Sequence, residues 1–377
     1  MHLIYLIFTI TAFFGCSKTE HLPVEYQNAS ESLEIEFLQT NRSQKGYFLG
    51  MEPYLDQRSY QSEESFYQIL RSYFLYAKKQ EVLLTEKTIV VLPEYIGTWL
   101  VAAEEDSAVF LAPSVSDAMQ SLIFEHPLQF LWTYIYYKSY ANEKLKETLF
   151  RMKAIQMASI YQSVFSRLSS EFKVGIVAGS IVLPEPKVIE GKIVTSDGPL
   201  QNVSFYFRSN GELDPSIVRK KYLLEEEKTF LSQNSENQFA FATEIGKLQV
   251  LICADSWYPD VYLSQKDSAI SFIAVPSFVS PQDSWKKPWN GYNGFQAPND
   301  VKQSDMKRIS ELHAWRKYGM LGRAKQKTVN ASINVFFRGR LWDLDAGGSA
   351  FLMKNGKEVD SKWKSESYKG RIYAIGI

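Results

Sequence analysis

From Gly46 onward the chain repeats one pattern: short apolar runs, closed by turn residues and separated by longer amphipathic stretches. Sandwiches built of hairpins set their strands back to back, whereas strands separated by helix-length segments form sheets flanked by helices. The chain is therefore expected to be an α/β protein. The strand-like runs are GYFLGM (46–51), TIVVLP (88–93), VGIVAGSIVL (174–183), VSFYFR (203–208), LQVLIC (248–253), ISFIAVP (270–276), VNASINVF (329–336) and SAFLM (349–353). Between them, Phe66, Ile69, Leu70, Tyr73 and Phe74 recur at helical spacing over 62–80, and 309–326 behaves similarly. Pro127 divides the aromatic-rich stretch SLIFEHPLQFLWTYIYYKSY into two helical pieces.

Ahead of this domain the chain reads differently. Leu3 to Gly15 (LIYLIFTITAFFG) is too short to span a bilayer but has the length of a secretory apolar region, so it is set apart from the fold. Gly15 precedes Cys16 and the polar run SKTEH, and this junction resembles the lipobox of a bacterial lipoprotein, which implies lipidation at Cys16 and a membrane-anchored protein of the cell envelope. The alternative is a signal sequence whose cysteine is incidental. Residues 17–45 are polar and lack periodicity, as a linker would be, and residues 46–377 form the domain, with an aromatic-rich insertion around 97–170.

Charge and cysteine usage remove several function classes. Forty-two basic residues against forty-two acidic ones leave no net field to recruit nucleic acid. The four histidines are scattered and Cys253 has no CxxC companion, so neither a metal site nor a cofactor is expected. No GxSxG elbow, phosphate loop or dinucleotide fingerprint is present, and AGS (178–180) and GGS (347–349) read as strand glycines.

Three junctions remain where an apolar run stops at a residue able to do chemistry. KLQVLICADSWYPD reaches Cys253, TIVVLPEYIGTW reaches Glu94, and SIVRKKYLL reaches Lys220. Each has a plain explanation of its own: a small buried thiol, the start of a solvated loop, a basic surface.

Taken together, the order Glu94, Lys220, Cys253 resembles the catalytic triad of the nitrilase superfamily of carbon–nitrogen hydrolases. The most specific part is GKLQVLICADSWYPDVYLSQKDSAISFIAVPS, which is similar to that family's nucleophile block through Cys253, Asp255, Pro259, Asp260, Pro276 and Ser277. At the lysine, the family's Tyr-Arg-Lys-x-His-Leu stands here as Val218, Arg219, Lys220, Lys221, Tyr222, Leu223, and the position of its second glutamate is Lys228, with Glu227 just before. The later segments GRAKQKTVNASINVF and AGGSAFLMKNGK resemble the family too, so the likeness covers roughly residues 46–360.

The resemblance implies a four-layer α-β-β-α sandwich with mixed sheets, a homodimer, and cleavage of a small-molecule amide or N-carbamoyl compound. In that chemistry Cys253 attacks, Glu94 moves the proton, and Lys220 with the Ala254 N–H faces the oxyanion; Glu227 supports. Tyr95, Trp257, Trp285 and Trp289 are expected to wall the substrate pocket, with Tyr292 beside them. An N-acyltransferase using the same thioester, and an inactive surface-binding member of the fold, stand as alternatives. The aromatic segment around Trp132, Tyr134, Tyr136 and Tyr137 reads as core packing, as a lid or oligomer contact, or as a lipid contact.

Overall fold

The structure, a computed structural model, describes residues 34–234, 238–263, 269–325, 328–361 and 369–377. The signal-like segment and Cys16 lie outside the described residues. Two six-stranded mixed sheets form the centre. The first runs in the order Ile35–Gln39, Gly370–Gly376, Tyr47–Glu52, Thr88–Val91, Gly175–Val177, Tyr206–Phe207. The second runs Phe241–Thr243, Gly246–Val250, Phe272–Ser277, Ala331–Phe336, Phe351–Lys354, Lys357–Val359. Their middle strands pair in parallel, Tyr47–Glu52 with Thr88–Val91 and Phe272–Ser277 with Ala331–Phe336, as strands joined by helical crossovers must.

Side-chain alternation explains the layering. In YFLGME, Tyr47, Leu49 and Met51 join a core shared with helices Glu63–Lys79 and Lys144–Phe172, whereas Phe48 joins a core shared with the second sheet. At Gly50 the two sheets approach so closely that a Cβ would lie 2.7 Å from Val335 Cγ1 and 2.9 Å from Ile333 Cγ2. The second sheet is covered in turn by Glu311–Tyr318 and Met320–Ala324, which pack Ala314, Trp315, Met320 and Leu321 against it. The result is the expected four-layer α-β-β-α sandwich with mixed sheets.

Several local expectations change. The linker assigned to 17–45 ends earlier, because Ile35–Gln39 is an edge strand in parallel register with Gly370–Gly376, and Glu36 accepts a 2.8 Å hydrogen bond from Arg371. The run at 174–183 is two strands, Gly175–Val177 and Ile181–Pro184, so AGS is the turn between them and Gly179 is no strand glycine. The helix expected over 309–326 breaks at Gly319 into two.

The insertion holds helices Ser107–Leu111, Val115–Glu125 and Pro127–Tyr136 and nearly all of the long helix Lys144–Phe172, which closes the outer layer. Pro127 is the first residue of its helix, where its missing N–H costs nothing. Leu128, Trp132, Ile135 and Tyr136 on that helix face outward and exposed, while Ala118 and Leu122 on the preceding helix are buried. Among the described residues, no helix is long and apolar enough to cross a membrane.

Candidate active site

Each chemistry-bearing residue lies just beyond a strand of the sandwich. The strand Thr88–Val91 ends, Leu92 and Pro93 follow, and Glu94 stands next. The strand Gly246–Val250 stops short of the expected 253, and Cys253 opens a tight turn, Cys253–Trp257, with a backbone φ of +49°. Tyr95, directly after Glu94, has φ +62°. Left-handed backbone at a non-glycine residue is uncommon and clusters where side chains are held for function.

Lys220 directly follows the two-residue strand Val218–Arg219, which pairs with Leu200–Ser204. Within that partner strand, Asn202 reaches two ways. Its carbonyl accepts the Lys220 N–H at 2.9 Å, and its side-chain amide donates to Glu94 Oε1 at 2.9 Å.

Lys220 Nζ lies 2.8 Å from Glu94 Oε1 and 2.7 Å from Glu227 Oε1, so one ammonium bridges two carboxylates. Tyr95 donates to the same Glu227 oxygen, and the Leu224 N–H donates to Glu227 Oε2 at 2.8 Å. Lys228 takes another course, with its ammonium on Glu225 and on the Gly294 carbonyl. The Cys253 thiol donates to the Phe278 carbonyl, 3.9 Å away.

Burial dominates the protonation states. It pushes Glu94 up to about 7 against the pull of Lys220, and the neighbouring Glu227 charge adds to the rise. Burial alone would lower Lys220, but Glu227 and Glu94 outweigh it and hold the ammonium charged well above its ordinary range. The Cys253 thiol is pushed up by burial and by Glu94, with Lys220 offsetting only part. At neutral pH the resting set is a thiol, a carboxyl poised to exchange a proton, and an ammonium.

These residues line a cavity of roughly 1000 Å³. Cys253, Glu94, Lys220, Glu227 and Ala254 all reach it, as do Tyr95, Trp257, Trp289 and Tyr292. Trp285 is absent from its lining. The Trp285 indole turns away to donate to the Gly347 carbonyl at 2.8 Å and packs on Trp315 and Phe336, so it belongs to the core beneath the wall. Ala254 is the second residue of the Cys253 turn, where a helical start leaves the N–H without an internal acceptor.

Asn202, Trp99, Phe278, Glu311 and Trp342 were not anticipated. Asn202 carried a signal, a polar residue inside the apolar strand LQNVS. Trp342 carried none, since it arrives from a turn far along the chain. Outside the cavity lining, Glu105, Glu125 and His126 gather with ligand atoms within 4.8 Å of one another, a grouping that histidine spacing does not reveal; the Lys153 ammonium already occupies Glu105.

No protein-family profile matches the chain, and no curated protein matches it. Solved structures do. One is a variant of the amidase from Nesterenkonia sp. AN1 with the acetamide moiety of fluoroacetamide added covalently at its active-site cysteine: TM-score 0.51, 11% identity, 88% of this chain and 90% of that one. Another is a carbon–nitrogen hydrolase from Helicobacter pylori, with TM-score 0.48, 15% identity and 88% of each chain covered. The chain has the nitrilase fold. Its structural neighbours are amidases and carbon–nitrogen hydrolases of the nitrilase superfamily.

Proposed function

We propose that this protein hydrolyses a carbon–nitrogen bond outside peptides, in an amide or N-carbamoyl compound, through a thioester on Cys253. The observation that carries this reading is one ammonium, Lys220, bridging Glu94 and Glu227 beside a thiol that opens on a cavity. A structural ion pair would need no nucleophile, and a structural cysteine would need no cavity.

Since the thiol is neutral at rest, Glu94 takes its proton as Cys253 Sγ attacks the carbonyl carbon, and the negative charge moves to the carbonyl oxygen. Lys220 and the Ala254 N–H stabilise that oxygen. Collapse breaks the C–N bond while Glu94 returns the proton to the departing amine. Water then attacks the thioester, gives its proton to Glu94, and the acid leaves with the thiol restored. Glu227 holds Lys220 in place and keeps it charged.

Incubation with a chromogenic anilide, followed by intact-mass measurement, tests the reading. An acyl adduct is expected, absent from Cys253→Ala and nearly absent from Glu94→Gln. Normal turnover by either variant would refute the mechanism. Transfer to an added amine faster than to water would favour acyl transfer, a second reading that the size of the cavity supports by leaving room for an acceptor.

The GC-SKTEH junction supports a lipid anchor at Cys16 and placement in a bacterial envelope. Palmitate labelling lost in Cys16→Ser is the expected outcome, and labelling retained there would exclude it.

A further inference from the structure

Two unlike sets of side chains line the cavity. Ala102, Val109, Ala118, Leu122 and Leu149 form one, and they are 2%, 1%, 4%, 3% and 1% exposed. All five belong to the core cluster on the helix-covered side of the first sheet, and all come from the insertion, Leu149 from its long helix. The other set is Glu226, Lys287, Asn290 and Asn293, which are exposed at the surface. Cys253 lines the same cavity.

Order of events assigns the two sets. The amine must leave before water can reach the thioester, so the leaving group belongs at the open, polar side. The acyl group stays bound through both steps and belongs in the closed, apolar side. A compact amide would leave that side empty, and roughly 1000 Å³ is at the upper end of what a drug-sized ligand fills.

We propose that the substrates are amides bearing a long apolar acyl chain, with the chain seated among Val109, Ala118, Leu122 and Leu149. This rests on the hydrolase reading above and adds the substrate class to it. The chemistry is unchanged: the same carbonyl carbon is transferred to sulfur and then to water.

The test uses the full chain and 4-nitroanilides of acetic, butyric, octanoic and lauric acids, with N-octylacetamide as the converse arrangement. Each buried methylene contributes roughly fourfold in binding. The expected result is that kcat/KM rises by about a hundredfold or more from acetyl to octanoyl. Ala118→Phe, which fills the closed side, is expected to reduce the octanoyl-to-acetyl ratio by about tenfold or more.

A flat series, or preference for N-octylacetamide, would overturn the assignment while leaving the hydrolase reading intact. Binding of lauroyl 4-nitroanilide to Cys253→Ala, followed by calorimetry, separates the two ideas. Tight binding of the lauroyl compound over the acetyl one supports the apolar side without any turnover, and equal weak binding refutes it. Absence of any acyl adduct across the whole series would refute the hydrolase reading, and the substrate assignment with it.

Discussion

Asp255 Oδ1 accepts the backbone N–H groups of Lys221 and Tyr222 at 3.0 and 2.8 Å, so the residue two beyond the nucleophile fixes the strand end that carries Lys220. The turn holding the thiol and the loop holding the ammonium are thereby joined at one carboxyl.

That relationship gives a first prediction. Asp255→Asn keeps an oxygen for both N–H groups, whereas Asp255→Ala leaves two buried donors unpaired and frees the Lys220 loop. The alanine variant is expected to lose about tenfold to a hundredfold in kcat, and the asparagine variant much less. Burial raises Asp255 from 3.8 to about 7. The folded state therefore binds this proton more tightly than the unfolded chain, so the group's contribution to stability is present below 3.8 and is lost as pH rises through about 7. The Tm of Asp255→Asn should gain on that of the parent between pH 4 and pH 8. Parallel curves would contradict this.

A second prediction concerns the acid limb of activity. Glu94 must be ionised to accept the thiol proton, and burial places it at about 7, so kcat/KM should rise with pH through that value and then level. The Glu227 charge contributes to the upward shift. Glu227→Gln removes that charge, and the limb should move to lower pH even as the rate falls. An unmoved limb would mean that another group controls it.

The third prediction is thermodynamic. Lys220 is the shared counter-ion of Glu94 and Glu227, all three being buried. Lys220→Met strands two carboxylates in a low-dielectric wall, at a cost of about 3–5 kcal/mol. Protonation relieves that cost, so the loss in denaturant midpoint should be larger at pH 8 than at pH 5. An equal loss at both would show that packing, rather than charge, is at stake.

Cys253 and Glu94 each stand where an apolar run stops, but a small buried thiol and the start of a solvated loop explain them as well, and only the resemblance joined them into one reading. Lys220 and Glu227 were legible only through the resemblance, since lysines and glutamates crowd that stretch. The edge strand Ile35–Gln39 escaped because its partner, Gly370–Gly376, lies at the other end of the chain, and pairing at that separation leaves no local periodicity. Trp285 was misplaced for a related reason. It and Trp289 share one loop, but the short helix Gln282–Lys286 sends one indole into the core and leaves the other to the cavity, a choice of rotation that composition does not encode.

Gly179 supplies the last prediction. It sits at φ +65° in the turn after Gly175–Val177, and a Cβ there would stand 2.1 Å from the Pro93 carbonyl oxygen, the peptide leading into Glu94. The next residue, Ser180, accepts the Tyr95 N–H on its hydroxyl at 2.8 Å, so this turn is the bed on which the Glu94 loop rests. Gly179→Ala must push that loop away, and a displacement of about 1 Å at a catalytic base can lower kcat by up to about a hundredfold. Gly356→Ala is the control, because its φ is +74° but nothing lies within 4 Å of the added carbon. Both variants bear the strain of left-handed alanine, so a shared small loss in Tm is expected from each. Only Gly179→Ala should lose turnover as well; equal activity in the two would show that the contact with Pro93 does not position Glu94.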